Sequence, residues 1–201
     1  AFRPTGSTTA ALIKLIHEVT VMLESNPYVI VYAIDFSKAF DTVRHSELLG
    51  KYLRMELQDC VYNWLVDFFR AHTHCSRFGG VESEFIAISA SIIQGSAAGP
   101  ASYVVAGSDL RPLTPGNSMV KFADDTYLVI PASNRESCAE EIKHVENWAS
   151  SNNLRLNHVK SMEIAFVSPR CRRAVVIPAP AVPTIPRGEE IKIGRASCRE
   201  R

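Results

Sequence analysis

Apolar and polar positions repeat along the chain with two different periods, and these periods predict most of the helices and strands. Near the start of the chain, apolar residues recur at helical spacing, which predicts a helix that is capped by Ser7 or Thr8 and ends at Asn26-Pro27. The run from Tyr28 to Ile34 is apolar throughout and rich in β-branched and aromatic residues, as is typical of a strand covered on both faces. Further helices are predicted from about His45 or Ser46 to Leu53, over 58–70, over 100–110 and over 133–151, and further strands over 83–89 and 161–167.

The stretch from Met119 to Ile130 predicts a β-hairpin with two carboxylates at its tip. Apolar residues alternate with others on both sides of Asp124-Asp125, which is the period of a half-buried strand. Aspartate is a common turn residue, so the tip alone is compatible with a purely structural turn. A catalytic interpretation requires a second acidic centre elsewhere in the chain.

Asp35 supplies that second centre, because it directly follows the predicted strand over 28–34. Neighbouring strands lie about 4.8 Å apart, so carboxylates at their ends can share metal ions held about 3.5–4 Å from each other. Mg²⁺ prefers hard oxygen ligands, and no His or Cys lies near Asp124-Asp125. Three acids in one place are costly without a cation. The residues therefore predict a two-metal site for phosphoryl transfer.

Composition narrows the classes of protein only in part. The chain has 201 residues, of which 46% are hydrophobic, enough for one folded domain with an irregular tail. Its net charge of +1 neither requires nor excludes a polyanionic partner. Five cysteines without a Cys-x-x-Cys pair indicate a reducing compartment rather than a disulfide framework or a zinc ribbon. No apolar run reaches about 18 residues, so membrane insertion is not predicted.

After Ser168 the sequence becomes basic and then rich in proline. Arg170, Arg172 and Arg173 form a basic cluster that is suited equally to nucleic-acid phosphates and to solvent. Prolines at 178, 180, 183 and 186 exclude helix and predict an extended connector over 169–191. Residues 192–201 read like one frame of a common sequencing adapter, and we hypothesise a read-through artefact. Long-read resequencing tests this, and finding these codons in the uninterrupted gene would contradict it.

Four segments, in this order, resemble the motifs of reverse transcriptases. They are Asp35-Phe36-Ser37-Lys38-Ala39-Phe40-Asp41-Thr42-Val43, then Gln94-Gly95-Ser96 with Gly99-Pro100, then Phe122-Ala123-Asp124-Asp125-Thr126, then Leu154-Arg155-Leu156-Asn157 with Lys160-Ser161. Together with Phe2–Thr8, they most resemble the enzymes of non-long-terminal-repeat (LINE-type) retrotransposons, and the resemblance covers about Phe2 to Phe166. It implies an α+β fold, a right-hand polymerase palm with partial fingers over 1–168, in which an antiparallel sheet carries the catalytic acids and is backed by helices.

The resemblance also implies the ligands of the metal site. Asp35 and Asp124 match the principal metal ligands, and Asp125 matches the third acid. The backbone carbonyl of Phe36 would be a further ligand. Lys160 matches the lysine proposed as general acid toward pyrophosphate, although by residue type alone it reads equally as a solvated surface lysine. Two Mg²⁺ ions are the implied cofactors, with Mn²⁺ as an alternative.

Three residues match the substrate side of the family pattern. Phe40 matches the aromatic steric gate that collides with a 2′-hydroxyl, while its residue type alone also suits a core aromatic. Gln94 and Gly95 match the loop that packs against the incoming nucleotide and the template. We expect Asp41 to be structural, and His72–Cys75 to be a surface connector, because no second Cys/His pair completes a tetrahedral metal site.

The function that the resemblance implies is RNA-directed DNA polymerisation. Its partners would be an RNA template, a DNA primer and deoxynucleoside triphosphates, in the nucleus or in a cytoplasmic ribonucleoprotein; no oligomeric state is predicted. We expect a truncated chain, because upstream fingers segments and a downstream thumb have no counterpart, so the fragment itself could be inactive. Two alternatives stay open, a catalytically dead nucleic-acid-binding remnant of a retroelement and another palm-type enzyme such as a nucleotide cyclase. The Gln94-Gly95 loop and Phe40 argue against the cyclase.

Overall fold

Helices and strands succeed one another along the chain much as the hydrophobic periods predict. The structure is a computed structural model and describes residues 6–70, 72–93, 96–171, 175–193 and 196–199. In these ranges the helices are α1 (Thr8–Ser25), α2 (Ala39–Thr42), α3 (His45–Leu53), α4 (Asp59–Phe69), α5 (Gly99–Ala106), a 3-10 helix (Ala132–Ser137) and α6 (Cys138–Ser151). The strands are β1 (Tyr28–Ile34), β2 (Thr73–His74), β3 (Arg77–Phe78), β4 (Val81–Glu82), β5 (Ile86–Ala87), β6 (Ser118–Phe122), β7 (Asp125–Pro131), β8 (Met162–Val167), β9 (Glu190–Ile193) and β10 (Ala196–Arg199).

The chain divides into two compact units. The first contains the described residues up to Ser37, Leu110–Ser151 and the described residues from Arg155 onward. The second contains Lys38–Asp109 and Asn152–Leu154, apart from Ala71 and 94–95, which lie outside the described ranges.

An antiparallel sheet in the order β6-β7-β1-β8 forms the first unit, with β1 at its interior. Side chains of a strand alternate between the two faces of the sheet. Val29 and Val31 point to the face on which α1 packs. Tyr32 points to the opposite face and lies beside Cys138, the first residue of α6. Helices therefore cover both faces of β1, as its uniformly apolar sequence predicts.

The two predictions for the start of the chain are confirmed. The Ser7 hydroxyl caps α1 by accepting a hydrogen bond from the Ala10 amide at 3.0 Å. At the other end, the Asn26 side chain donates to the Met22 carbonyl at 2.9 Å, and the helix stops there. The strand Tyr28–Ile34 has the predicted bounds.

Three other elements differ from their predictions. The helix predicted over 100–110 ends at Ala106. The predicted strand over 83–89 is reduced to Ile86–Ala87, because residues 83–87 are all exposed and have no buried face to hold a longer strand in register. The helix predicted from 133 begins at Cys138, and a 3-10 helix precedes it. Asn134 takes non-helical angles (φ −107°, ψ 15°) there, and its side chain donates to the Pro115 carbonyl and to Asn117 Oδ1, both at 2.9 Å.

The second unit contains α2 to α5 and two short two-stranded sheets, the β3–β4 hairpin and the β2–β5 pair. Lys51 of α3 is buried and reaches α5, where its ammonium group donates to the Ala106 carbonyl at 2.5 Å and pairs with Asp109 at 2.7 Å. The Tyr52 hydroxyl lies 3.0 Å from Ser102 Oγ, also between α3 and α5. Phe78 of β3 is 90% exposed, so the β3–β4 hairpin adds little to the core of this unit.

The proline-rich connector contains no helix in its described part, from Val175 to Glu189. Near its end it lies along β8 and forms a parallel bridge between Glu163 and Arg187. Beyond it, β9 and β10 pair with each other, and most of their residues belong to the stretch attributed above to an adapter. No helix in the described ranges is both long and apolar enough to cross a bilayer. The predictions for Gln94, Gly95, Arg172 and Arg173 fall outside the described residues.

Candidate active site

The ends of β1 and β7 bring Asp35 and Asp125 to the same edge of the sheet. Ile34 pairs with Thr126 in the ladder, so Asp35 and Asp125 are the next residues at that end. Because side chains alternate, both carboxylates belong to the face of Ala33 and its partner Tyr127. This placement agrees with the prediction of an acidic pair drawn from two strands.

Asp35 and Asp125 line a cavity of about 300 Å³ together with Lys160. The remaining lining residues are Ala33, Ile34, Tyr127, Met162 and Glu190. Three of the four predicted catalytic residues thus share one cavity, in which a single lysine faces several carboxylates.

Asp124 lies at the tip of the hairpin, outside the residues that line this cavity. Ala123 and Asp124 form a two-residue turn between the paired residues Phe122 and Asp125. Asp124 is exposed, whereas Asp125 is half-buried. The structure therefore distinguishes the two neighbouring acids by their position.

Tyr127 lies close enough to both hairpin acids for their negative charges to affect its pKa. Its side chain is 1% exposed, and its pKa is raised, first by burial and then by the negative charges of Asp125 and Asp124. The sequence reasoning treated Tyr127 only as an apolar strand residue. Its position two residues after Asp125, on the same face, was the signal that could have placed it in the site.

The turn at the hairpin tip carries backbone strain. Ala123 has φ of 55°, in the left-handed region that favours glycine. We predict that Ala123→Gly raises the free energy of unfolding by about 0.5–1 kcal/mol, because glycine adopts this angle without a steric cost. Urea denaturation measures the change. Ala101→Gly, on the exposed side of α5, is the control and should lower stability by about 1 kcal/mol; a destabilised Ala123→Gly variant would contradict the prediction.

The turn that carries Lys160 is hydrogen-bonded to the backbone of Asp35. The Asn157 amide donates to the Asp35 carbonyl at 2.9 Å, and the Asp35 amide donates to Ser161 Oγ at 3.1 Å. Within the turn, the Lys160 amide donates to Asn157 Oδ1 at 3.3 Å and the Ser161 amide to the Asn157 carbonyl at 2.8 Å. Lys160 itself is exposed. The first and fourth motifs are thus one hydrogen-bonded assembly.

Phe36 lies in this assembly as well. It forms an antiparallel bridge with Leu156, and the two hydrogen bonds of that bridge use the carbonyl of Asp35 and the amide of Ser37. The Phe36 carbonyl takes no part in those two bonds. Its ring is buried, with its centroid 5.8 Å from that of Trp148. This arrangement is compatible with the predicted role of the Phe36 carbonyl as a ligand.

The donor atoms of the cavity fit a divalent cation. Asp35 and Asp125 offer carboxylate oxygens on one face, the ligands that Mg²⁺ and Mn²⁺ prefer. Among the described residues, no three or more His, Cys, Asp or Glu side chains are grouped so as to hold a metal ion. Asp124 lies apart from this pair, at the exposed tip of the hairpin.

Phe40 lies in the second unit, on the short helix α2. Its ring is half-buried and stacks on Tyr103, with centroids 4.4 Å apart and planes 19° from parallel. Its carbonyl accepts a hydrogen bond from the Ile92 amide at 2.6 Å, so the chain leading to Gln94 is attached to Phe40. Asp41 follows in α2, and its amide donates to the Lys38 carbonyl at 2.9 Å.

The structure has the features that the resemblance implies for a polymerase palm, an antiparallel sheet backed by helices with aspartates at the ends of two neighbouring strands. Residues 1–175 match the model of the family described as reverse transcriptase (RNA-dependent DNA polymerase). The chain belongs to this family, whose members use divalent metal ions.

One curated relative and two solved structures extend the match. The chain is 26% identical over 178 residues to the RNA-directed DNA polymerase from mobile element jockey of Drosophila melanogaster, which covers 83% of the chain and 19% of that protein. It therefore spans about a fifth of the length of this relative. Telomerase from Candida tropicalis in complex with a fragment of telomeric RNA shares the fold, with TM-score 0.64, 10% identity and coverage of 80% of this chain and 30% of that one. The apo telomerase without its C-terminal domain matches with TM-score 0.63 and 10% identity, over 96% of this chain and 38% of that one.

These matches confirm the predicted α+β polymerase palm and the predicted reverse transcriptase of the LINE type. The domain boundaries at 168 and 191 and the role of each site residue stay predictions.

Proposed function

We propose that this chain is the palm of an RNA-directed DNA polymerase that uses two Mg²⁺ ions to add deoxynucleotides to a primer 3′-hydroxyl during retrotransposition. The observation that carries the proposal is the cavity in which Asp35, Asp125 and Lys160 meet. Carboxylates for cations and a lysine for the leaving group are the parts that nucleotidyl transfer requires. The membership of the chain in the reverse transcriptase family supports the same reaction.

Each residue of the site has a separate task in this proposal. Asp35, Asp124 and Asp125, with the Phe36 carbonyl, would hold the two ions, which activate the 3′-hydroxyl and neutralise the triphosphate when bound. As the 3′-oxygen bonds to the α-phosphorus and the bond from that phosphorus to the pyrophosphate oxygen breaks, the 3′-hydroxyl releases its proton to water and Lys160 donates a proton to the leaving pyrophosphate oxygen.

The substrates follow from the family. An RNA template, a DNA primer and deoxynucleoside triphosphates are the partners we propose, with Phe40 excluding ribonucleotides and Gln94-Gly95 packing against the base pair. Mn²⁺ is an alternative to Mg²⁺, because both accept oxygen ligands.

Primer extension on an RNA template tests the proposal, with the 201-residue chain and with the product of the uninterrupted gene. We expect deoxynucleotide incorporation that requires template and Mg²⁺ or Mn²⁺ and stops with EDTA. Binding of an RNA–DNA hybrid without any incorporation would instead indicate a dead nucleic-acid-binding remnant. Template-independent formation of a cyclic nucleotide would indicate a cyclase.

The proposed steric gate makes a separate prediction. Phe40→Val should raise the incorporation of ribonucleotides relative to deoxynucleotides by about 10- to 100-fold, the usual size of a steric discrimination in a binding pocket. Competition between the two nucleotide types in primer extension measures the ratio. Phe78→Val, which shortens an exposed aromatic of the same unit, should leave the ratio unchanged. Loss of stability in Phe40→Val with an unchanged ratio would assign Phe40 to the core beside Tyr103.

A further inference from the structure

The connector segment 178–188 contacts the turn that carries Lys160. This contact is at His158, on the N-terminal side of Lys160. His158 Nδ1 and Thr184 Oγ1 are 2.7 Å apart, and His158 Nε2 lies 2.8 Å from Glu146 Oε1. A carboxylate only accepts hydrogen bonds, so Nε2 donates to Glu146, and in the neutral ring Nδ1 accepts from the Thr184 hydroxyl. The imidazole two residues before Lys160 is therefore fixed from both sides.

The same segment contacts the chain on the C-terminal side of Lys160. The Glu163 amide donates to the Pro186 carbonyl at 2.9 Å, and the Gly188 amide donates to the Glu163 carbonyl at 2.8 Å. Gly188 also packs directly on Met162, since a Cβ at this glycine would lie 2.3 Å from Met162 Sδ. Met162 lines the cavity of Asp35 and Asp125, so the segment supports the wall of that cavity.

A buried ion pair anchors the segment. Arg187 Nε donates to Glu163 Oε1 at 2.7 Å, and its Nη2 donates to the same oxygen. The Glu163 side chain is fully buried, and Arg187 Nη1 also donates to the Pro178 carbonyl at 2.8 Å. Ile185 is 1% exposed, which adds an apolar contact to the polar ones. The segment is thus built into the first unit and is more than a spacer.

From these contacts we infer that the segment 178–188 positions Lys160. The segment does so through Thr184 and Arg187. The backbone of Asp35 contacts the Lys160 turn at Asn157 and Ser161, and the segment contacts the chain before and after Lys160, at His158 and Glu163. Lys160 therefore keeps its place in the cavity only while both supports are present. The inference rests on the proposed function, in which Lys160 is the general acid.

Thr184→Val removes the hydroxyl on His158 and leaves the buried ion pair in place. We expect kcat for nucleotide incorporation to fall about fivefold at an unchanged KM for the deoxynucleotide, because small misplacement of a catalytic group lowers the rate of the chemical step. In a Lys160→Ala background the same substitution should have no further effect on kcat. An equal loss of kcat in both backgrounds would overturn the inference, because Thr184 would then act on the fold in general.

Hydrogen exchange of the Lys160 and Ser161 amides provides a second measurement that does not depend on activity. Thr184→Val should accelerate their exchange about threefold or more and leave the β6–β7 hairpin unchanged, since loss of a local contact raises only local opening. Thr9→Val, at an exposed position of α1, is the control and should change neither kcat nor this exchange. If neither the 201-residue chain nor the product of the uninterrupted gene incorporates nucleotide, the proposed function fails, and the exchange measurement decides the positioning role alone. Unchanged exchange would overturn it.

Discussion

We expect Asp35→Asn to lower nucleotide incorporation by about a thousandfold while the protein stays folded. The amide that replaces the carboxylate keeps its shape but removes the negative charge that would bind a cation. Metal ions stabilise charge in such transition states by several kcal/mol, and a loss of about 4 kcal/mol corresponds to about 10³ in rate. The contacts of Asp35 with Asn157 and Ser161 use its backbone atoms, so the substitution leaves them intact. Single-turnover primer extension measures the rate, and circular dichroism measures the fold.

Asp41→Asn is the matched control for this result. Asp41 has the same side chain and lies six residues later, in α2 of the second unit. We expect its activity to stay within about threefold of the wild type, as for a surface substitution away from the site. Asp35→Asn with more than a tenth of the wild-type rate would contradict the assignment.

The same assay separates the two acids of the hairpin. The resemblance makes Asp124 a principal ligand, while the structure places Asp125 in the cavity and Asp124 at the exposed tip. A loss in Asp124→Asn equal to that in Asp35→Asn would show that Asp124 turns into the site when cations and substrate bind. A larger loss in Asp125→Asn would instead favour the arrangement that the cavity shows.

The parts of the fold that the sequence predicts well are those governed by local period. Tyr28–Ile34 and the hairpin around Asp124 have clear patterns, and the structure shows both. The start of α6 is different, because the side chain of Asn134 bonds to Pro115 and Asn117, residues 17 to 19 positions away. No local sequence pattern reveals such a contact, so the hydrophobic period alone predicts a helix that begins too early.

The site shows the same division between local and distant contacts. The order of the motifs predicts that Asp35, Asp125 and Lys160 belong to one site, because each lies at a strand end or in a turn within its motif. The connector is different, since its proline pattern indicates only an extended chain. Its attachment to the sheet depends on Arg187, which pairs with the buried carboxylate of Glu163, 24 residues earlier in β8. Glu163 is the charged residue in the otherwise apolar sequence of β8, and charged side chains are rarely buried without a partner. The sequence of β8 therefore indicates a cationic partner, but not which residue supplies it.

Arg187→Ala should lower the free energy of unfolding by about 3–5 kcal/mol, the usual cost of leaving a buried charge without its partner. The Glu163 side chain is fully buried, and its Oε2 and the Tyr32 hydroxyl have no hydrogen-bond partner among the described residues. Burial and then Glu163 raise the pKa of Tyr32, so its hydroxyl stays protonated and neutral and supplies no positive charge to replace Arg187. For a chain of this length the midpoint of thermal unfolding should fall by roughly 6–20 °C.

Arg77→Ala is the matched control, because Arg77 pairs with Glu82 through the same groups at the surface, where the side chains are 75% and 41% exposed. Solvent screens that pair, and its loss should cost less than about 1 kcal/mol. Replacing both Glu163 and Arg187 with Met should recover most of the stability lost in Arg187→Ala, since removing both charges also removes the cost of burying either one. Equal effects of Arg187→Ala and Arg77→Ala in the same denaturation assay would contradict the prediction, because the connector would then contribute nothing to the stability of the sheet that carries Asp35.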